Sequence, residues 1–463
     1  MATLENHAAA LQDQLIPGLN FSHGNSSSYV TARNNISIYP QGSNSYSAQG
    51  TRTIRIAINS DANWIDPASI MLYYRLNNKD ATAQQTNTVT RMEPLGGPHI
   101  FIQRLRVLCQ GQLVEQIDDY NRLYEFMVRQ TSEDYQRQYA AMGFGLKTAT
   151  PSDYTHLRGA RRIKPGNGKT VGMPILCGLF QQHRFLAAQY MNLVLERTVA
   201  DAADVCRGGS VVDGAVTTTF TNSAYDISDV ILKCDSITLD SQLQEEYAKK
   251  LLSSTISYSM KCMHHTNYSQ TGNEDSLTIA MSRSLSRLCT VFVTFFSVSP
   301  DTNLNKECNY FPHTQGQIDS LIPVDATHPL YGLDATPDSH GITYEFVCDG
   351  QRFPTTPVLT TVESYANCVR ALGLMGQTSH SFGVTGRAYE SNDCFCIIEN
   401  FEKVLGTAMS GKNLRGGSQL LLNLKNMAPS GIPTADKITK VFLAVQYDCI
   451  LELSAAGGVT ILE

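Results

Sequence analysis

One glycine-rich segment has the residue types of a phosphate-binding loop. Residues 166–170 read Gly-Asn-Gly-Lys-Thr, but the full motif requires a glycine five positions before Gly168, where the sequence has Ile163. Pro165 lies within the loop, and residues 171–176 are typical of a strand, so no helix N-terminus would face bound phosphates. We therefore expect a turn here rather than a nucleotide site.

Cysteine and histidine residues come close together at two positions where a metal can be considered. Cys262, His264 and His265 form the first group, but adjacent histidines point to opposite faces of a strand and no second pair follows at zinc spacing. We expect this segment to be a loop or a strand end. Cys394 and Cys396 share one face of a predicted strand, and we interpret them as packed thiols, which behave as small hydrophobic groups.

The other residues with catalytic chemistry form no motif of a known reaction type. The sequence has no G-x-S-x-G, H-E-x-x-H or G-x-G-x-x-G pattern, and its 11 histidines are scattered. Neighbouring carboxylates, such as Asp118 with Asp119 and Glu245 with Glu246, lie at predicted helix starts or on polar helices, where capping and solvation explain them. The sequence thus predicts no catalytic, cofactor-binding or metal-ligating residue, no cofactor, and a protein that is not an enzyme.

Composition excludes several classes of partner. The 463 residues carry a net charge of −6, and only 17% are charged, which is below the roughly 25% of an average soluble domain and suits a surface covered by neighbours. The densest basic stretch, residues 158–169, is interrupted by glycines and a proline, so we expect no sequence-specific nucleic-acid partner. No run approaches the ~18 apolar residues of a transmembrane segment, and residues 1–14 lack a signal-peptide pattern. The 12 cysteines occur almost singly, which favours reduced thiols and synthesis inside a cell.

Apolar and polar residues alternate through much of the chain after residue 50, which predicts β-strands. The clearest strand is the last, in which every second residue from 441 to 453 is apolar or aromatic. Glycine turns at Gly111 and Gly350 predict two hairpins. Residues 107–112 resemble residues 346–351, and both precede a predicted helix, so the two halves of the chain are consistent with a duplication.

Few helices interrupt the strands. A helix from residue 120 has an apolar stripe that includes Leu123 and Met127. Two more begin at capping boxes, Ser241-x-x-Gln244 and Thr360-x-x-Glu363. Because helices do not alternate with strands, the pattern favours β-sandwiches over a parallel α/β sheet.

The patterning divides the chain into four segments. Residues 1–50 are rich in Ser, Asn, Gln and Ala and predict an extended N-terminal arm, ordered only against another surface, or else a floppy tail. Residues 51–240 form a first β-rich unit, residues 241–252 a helical linker, and residues 253–463 a second β-rich unit.

Blocks of sequence from about residue 95 to the C-terminus resemble one protein family in their order and spacing. The blocks include residues 95–99 (LGGPH), 104–108 (RLRVL), 117–122 (IDDYNR), 178–180 (GLF), 190–193 (YMNL), 227–230 (ISDV), 282–288 (SRSLSRL), 291–296 (VFVTFF), 400–406 (NFEKVLG) and 410–413 (SGKN). The family is the double jelly-roll major capsid proteins of tailless icosahedral double-stranded DNA viruses. Within it, the sequence is most similar to the Polinton-like virus and virophage branch.

This resemblance implies an all-β fold of two consecutive eight-stranded jelly rolls with short inserted helices. It implies a major capsid protein that self-assembles into pseudo-hexagonal trimeric capsomers, which tile an icosahedral shell. The implied partners are the chain itself, as a homotrimer with neighbouring capsomers, and penton and minor capsid proteins. The implied location is the virion capsid, with synthesis and assembly inside the host cell.

Two other classes of protein share the predicted sandwich architecture. A glycan-binding or host-attachment protein would bind carbohydrate as an isolated subunit. A β-sandwich or cupin-like enzyme would hold a metal or show convergent polar side chains in a pocket.

Overall fold

The chain is described here by a computed structural model. The residues it describes are 29–59, 64–79, 91–94, 96–132, 142–143, 163, 165–212, 215–217, 224–271, 274–281, 283–297, 342–373, 389, 395–404, 409–415, 419–427, 438–454 and 458–463. Structural statements below refer to these residues.

In the described part of the first half of the chain, twelve strands are present. They are β1 (Val30–Ile38), β2 (Ser45–Tyr46), β3 (Thr53–Ile58), β4 (Trp64–Asn78), β5 (Arg91–Pro94), β6 (Ile102–Cys109), β7 (Gln112–Ile117), β8 (Gly168–Pro174), β9 (Leu193–Val199), β10 (Cys206–Val212), β11 (Ala215–Thr217) and β12 (Tyr225–Leu239). The α-helices among the described residues of this half are α1 (Tyr120–Gln130), α2 (Ala188–Met191) and α3 (Ala202–Val205), and 3-10 turns occur at Pro98–Phe101 and Gly178–Gln181.

Helix α4 (Ser241–Ser253) leads into the second half. The strands that follow are β13 (Ile256–Ser269), β14 (Leu277–Met281), β15 (Leu288–Ser297), β16 (Thr343–Cys348), β17 (Gln351–Val358), β18 (Ile397–Asn400), β19 (Leu420–Lys425), β20 (Ile438–Leu453) and β21 (Val459–Leu462). Helix α5 (Thr361–Ala371) follows β17.

Both halves have the same strand connectivity. In the first half, one sheet has the order β1-β12-β4-β8 and the other β3-β9-β6-β7; β5, β10 and β11 form a small separate sheet. In the second half, the orders are β13-β20-β15-β18 and β14-β19-β16-β17. If the eight main strands of each half are numbered along the chain, both halves read 1-8-3-6 and 2-7-4-5, with antiparallel pairing throughout. Two sheets linked in this way form a jelly roll, so the predicted double jelly roll is confirmed.

The sequence similarity between residues 107–112 and 346–351 falls on equivalent hairpins. Each joins the fourth and fifth strands of its jelly roll, β6 to β7 and β16 to β17. At both turns two successive residues have positive φ, Gln110 and Gly111 in one, Asp349 and Gly350 in the other, which the primed hairpin turns require. A helix follows each hairpin, α1 in the first half and α5 in the second.

The strand predicted over residues 441–453 is β20, which is buried more completely than alternation indicates. Its apolar positions, including Val445 and Leu451, are buried as predicted, but Phe442, Ala444 and Asp448 on the other face are buried as well. Strand β20 lies between β13 and β15 in its sheet, with the core of the second jelly roll on one face. Part of the opposite face is covered too, since Phe442 stacks on the ring of His265.

Three local predictions differ from the structure. Asp119 precedes α1 as expected, but its side chain makes no cap hydrogen bond there and instead contacts the second half of the chain. The segment that contains Cys262, His264 and His265 lies in the middle of β13 and pairs with β20, so it is neither a loop nor a strand end. Ser241 does not cap α4, because the N-cap residue is Asp240, one position earlier, and the Asp240 side chain makes no cap hydrogen bond. In the other predicted capping box, Thr360 is the N-cap residue of α5, and its hydroxyl oxygen accepts a hydrogen bond from the Glu363 N–H.

Part of the segment predicted as an arm is paired in the first jelly roll. Strand β1 pairs with β12 over Val30–Ile38, and β2 adds a short contact with β12. Strand β1 lies at the edge of its sheet, and its polar residues, such as Asn34 and Asn35, are exposed. Apolar and polar residues therefore do not alternate clearly in this part of the sequence. Residues 1–28 lie outside the described residues, and an arm there, like the domain boundaries, stays a prediction.

Candidate functional site: the contact between the two jelly rolls

The two jelly rolls contact each other through side chains and backbone groups that we call the junction. The junction consists of Glu115, Asp119, Arg122, Phe126 and Gly178 from the first jelly roll and Lys261, Met263, His265, Asn267, Phe292, Phe295 and Phe296 from the second. Strand β13 is the outer strand of its sheet. The junction therefore covers a strand edge that would otherwise present unpaired backbone groups to other molecules.

Glu115 links the backbones of the two jelly rolls. Its side chain is buried; Oε1 accepts a hydrogen bond from the Met263 N–H at 2.7 Å and Oε2 accepts one from the Gly178 N–H at 2.9 Å. Burial raises the pKa of Glu115, while hydrogen bonds from Cys177 and from the two N–H groups oppose the rise. At Gly178 a Cβ atom would collide with the Lys261 carbonyl oxygen, so only glycine permits this approach of the chains.

Arg122 on α1 anchors the first jelly roll to β15. Its Nη2 donates a hydrogen bond to the Phe295 carbonyl at 2.9 Å, and its guanidinium carbon lies 3.8 Å from the centroid of the Phe296 ring. One turn along the same helix, Phe126 meets Phe292 edge-on, with ring centroids 5.6 Å apart. A buried arginine that bonds a backbone carbonyl and stacks on an aromatic ring fixes orientation as well as distance.

A polar cluster completes the junction at the start of α1. The Asp119 Oδ2 atom lies 3.2 Å from His265 Nε2 and accepts a hydrogen bond from the Asn267 side-chain amide. Burial raises the pKa of Asp119, but the hydrogen bond and charge of His265, with Asn267 and Arg122, outweigh that effect and leave the pKa below its usual value. These contacts join the two jelly rolls directly, in addition to their connection through α4.

A second polar cluster lies in the second jelly roll beside the junction. A thiol and two carboxylates, from Cys289, Glu402 and Asp448, each offer one atom within 4.8 Å of the others. Lys261 Nζ lies 2.6 Å from Glu402 Oε1. Burial raises the pKa of both Cys289 and Asp448. Glu402 and Asp448 line a cleft of about 540 Å³ that reaches solvent between the jelly rolls.

Of the motifs considered from sequence, the group of Cys262, His264 and His265 contributes His265 to the junction, and the other two lie elsewhere. Gly166 forms a turn with positive φ, as expected, and the strand predicted over 171–176 is β8, which already begins at Gly168. Lys169 Nζ donates a hydrogen bond to the Gly143 carbonyl. Cys396 is buried, as are the other nine cysteines among the described residues. Cys394 lies outside the described residues, so the prediction that it packs beside Cys396 is not tested.

Sequence reasoning assigned no role to Glu115 or Arg122, although Arg122 lies in a block on which the family resemblance rests. One signal was present for Glu115. It occupies the alternating position between Leu113 and Ile117 in a predicted strand, where a carboxylate on an apolar face needs buried donors. Its donors could not be identified, because Met263 is 148 residues away in the chain.

The fold is similar to that of known proteins, although the sequence is not. No protein-family model matches the sequence, and no curated protein matches it. Among solved structures, the chain has the double jelly-roll fold of viral major capsid proteins, at sequence identities that show the fold alone.

Three of these structures match over nearly the whole chain. The PBCV-1 virus capsid matches with a TM-score of 0.60 and 14% identity, over 96% of this chain and 100% of that one. The Faustovirus major capsid protein matches with a TM-score of 0.59 and 9% identity, over 96% and 94%. The mavirus major capsid protein matches with a TM-score of 0.53 and 10% identity, over 98% and 94%.

Within the described ranges, no helix combines enough residues with enough apolar character to cross a bilayer.

Proposed function

We propose that this chain is a major capsid protein, which forms homotrimeric capsomers that tile an icosahedral viral shell. The observation that carries the proposal is the repeat of one jelly-roll connectivity in two halves that the junction holds together. The match over at least 94% of the Faustovirus and mavirus major capsid proteins supports it, since the full double unit is present.

The geometry explains why such a chain suits a shell. Three copies of a rigid two-barrel unit give six barrels around one axis, and six barrels produce a nearly hexagonal outline that fills a surface without gaps. Stable subunit interfaces of an obligate oligomer bury on the order of 2,000 Å² or more, with an apolar centre. Contacts between capsomers are expected to be smaller and more polar, so that misplaced units can dissociate.

The same proposal extends to partners and location. The chain would contact neighbouring capsomers together with penton and minor capsid proteins, and would reside in the virion after assembly inside the host cell. Among the described residues, all ten cysteines are buried and free, which is consistent with synthesis in a reducing compartment. The sequence blocks described above support a Polinton-like virus or virophage.

The solution mass of the full chain tests the proposal. We expect light scattering or native mass spectrometry to give three times the 50.9 kDa of one chain, without added ligand. A monomer that binds glycans on an array would support the host-attachment alternative and contradict the capsid proposal.

A deletion tests the predicted arm separately. We propose that residues 1–28 lock neighbouring capsomers from beneath the shell. A chain that begins at Tyr29 should still form trimers, because β1 is retained, but should assemble shells poorly. Normal shells from this truncated chain would contradict the role of the arm and leave the trimer proposal intact.

A further inference from the structure

Cys289, Glu402 and Asp448 are brought together by the local backbone of three segments. Strand β15 has a bulge between Leu288 and Thr290 in its pairing with β20, which leaves Cys289 as the extra residue beside Asp448. Bulges of this kind redirect a side chain out of the regular alternation. The Phe401 N–H donates to the Cys289 carbonyl at 2.7 Å, and this bond brings the next residue, Glu402, to the same place.

One carboxylate oxygen of the cluster, Asp448 Oδ2, is buried without a hydrogen-bond partner. The whole residue is 3% exposed. Leaving a carboxylate oxygen desolvated and unpaired carries a free-energy cost that a bound cation or donor removes. The cleft that Asp448 lines gives such a ligand an access route from solvent.

From this geometry we propose that Cys289, Glu402 and Asp448 bind a divalent metal ion of the zinc class. A sulfur donor selects a thiophilic or borderline ion such as Zn²⁺ over Mg²⁺ or Ca²⁺, which prefer all-oxygen sites. Three protein donors leave a fourth position open toward the cleft, where a water molecule completes a tetrahedral shell. On binding, the Cys289 thiol proton leaves to solvent and the thiolate bonds to the metal. The site differs from the sequence-based expectation of no metal ligand.

Lys261 is the group that competes with the metal. Its ammonium balances the charge of Glu402 in the metal-free chain. The Lys261 side chain is 44% exposed, so its flexible stem can carry the ammonium into water when a dication takes its place. Removing this charge should therefore tighten metal binding. If Lys261 and Glu402 formed only a structural ion pair, removing the charge would break the pair and would not tighten metal binding.

The site has a structural consequence for the shell unit. A metal held by these residues would tie together β15, β20 and the segment after β18, all beside the junction. Because the ion binds the folded chain in preference to the unfolded one, it should raise the thermal midpoint, and the rise should increase with the free metal concentration.

The test uses the full chain after treatment with a chelator. Titration with Co²⁺ should produce a thiolate-to-cobalt charge-transfer band together with tetrahedral d–d bands, and equilibrium dialysis with Zn²⁺ should give one ion per chain. Asp448→Asn should weaken Zn²⁺ binding at least tenfold. Lys261→Met should tighten it at least threefold. Cys289→Ser should lose the charge-transfer band, and Cys109→Ser, a buried thiol in the first jelly roll, should keep it.

The outcomes separate a built site from nonspecific binding. Absence of stoichiometric binding in both the wild type and Lys261→Met would overturn the proposal, as would a charge-transfer band that persists in Cys289→Ser. If Cys289→Ser does not fold, Asp448→Asn tests the site instead. Zn²⁺ should then raise the thermal midpoint of the wild type and not that of Asp448→Asn. Equal Zn²⁺ affinity in the wild type and Asp448→Asn would overturn the site. None of these results bears on trimer formation, so the capsid proposal is tested independently.

Discussion

At the scale of single residues, Glu399 carries a buried charge without adequate compensation. The residue is 7% exposed, its Oε2 atom has no hydrogen-bond partner, and Arg370 approaches its Oε1 atom only to 3.9 Å. Burial raises the pKa of Glu399 from 4.5 to about 7, and the charge of Arg370 opposes this only in part. Ionisation of Glu399 therefore costs the folded chain stability.

This residue predicts a pH-dependent effect of one substitution. The folded chain holds the Glu399 proton to higher pH than the unfolded chain, so the free energy of unfolding falls as pH rises from about 4.5 to about 7. Glu399→Gln should stabilise the chain by about 1–3 kcal/mol at pH 8 and have little effect at pH 4. Denaturant unfolding at both pH values measures the difference. The exposed Glu246→Gln serves as the control, and an equal effect of Glu399→Gln at both pH values would contradict the account.

The burial of single side chains could be predicted from sequence where it depends on residues that are close in the chain. Ile54, Ile56 and Ile58 are buried on one face of β3, as their alternation indicates. The role of Arg122 could not be read in this way, because the carbonyl that it bonds lies 173 residues further along the chain. Alternation predicts which side chains are buried, and only the tertiary fold determines which polar partners meet them.

At the scale of elements, the two capping-box sequences of the chain, at Ser241 and Thr360, differ in whether the cap forms. The Thr360 box forms its cap, whereas the Ser241 box does not. In the second case the Asp240 N–H donates to the Tyr29 carbonyl, which fixes the chain direction one residue before Ser241. A tertiary hydrogen bond has overridden a local preference, and the sequence contains no signal of it.

The two boxes form a matched pair for mutation. Thr360→Ala should destabilise the chain by about 1 kcal/mol, because the Glu363 N–H loses its acceptor. Ser241→Ala should change stability by less than about 0.5 kcal/mol, since Ser241 is an exposed residue inside the first turn. Thermal or denaturant unfolding of both variants checks the difference. Equal losses would show that the cap assignment is wrong.

At the scale of the whole molecule, the junction converts two similar jelly rolls into one unit. Hairpins, strands and the division into two β-rich halves were predictable, because each depends on local turn chemistry and alternation. The identical strand orders were implied by the family resemblance and not by the patterning itself. The junction was not predictable, since it joins residues from opposite halves of the chain.

Glu115 tests how strongly the jelly rolls depend on this contact. Glu115→Ala leaves the buried N–H groups of Gly178 and Met263 without an acceptor, which should cost about 2–4 kcal/mol. Calorimetry should show a lower midpoint, and the single transition expected for the wild type should broaden or split as the halves uncouple. Glu245→Ala on the exposed face of α4 is the control. A midpoint and transition width equal to those of the wild type would show that the junction is not what couples the halves.

Electron microscopy of the purified oligomer tests the central claim most directly. The account predicts class averages with a nearly hexagonal outline and six lobes, two from each of three chains, in which both barrels stand side by side around a common axis. Particles with two lobes, or rings whose lobe number is not six, would contradict the assignment of this chain as a trimeric shell subunit.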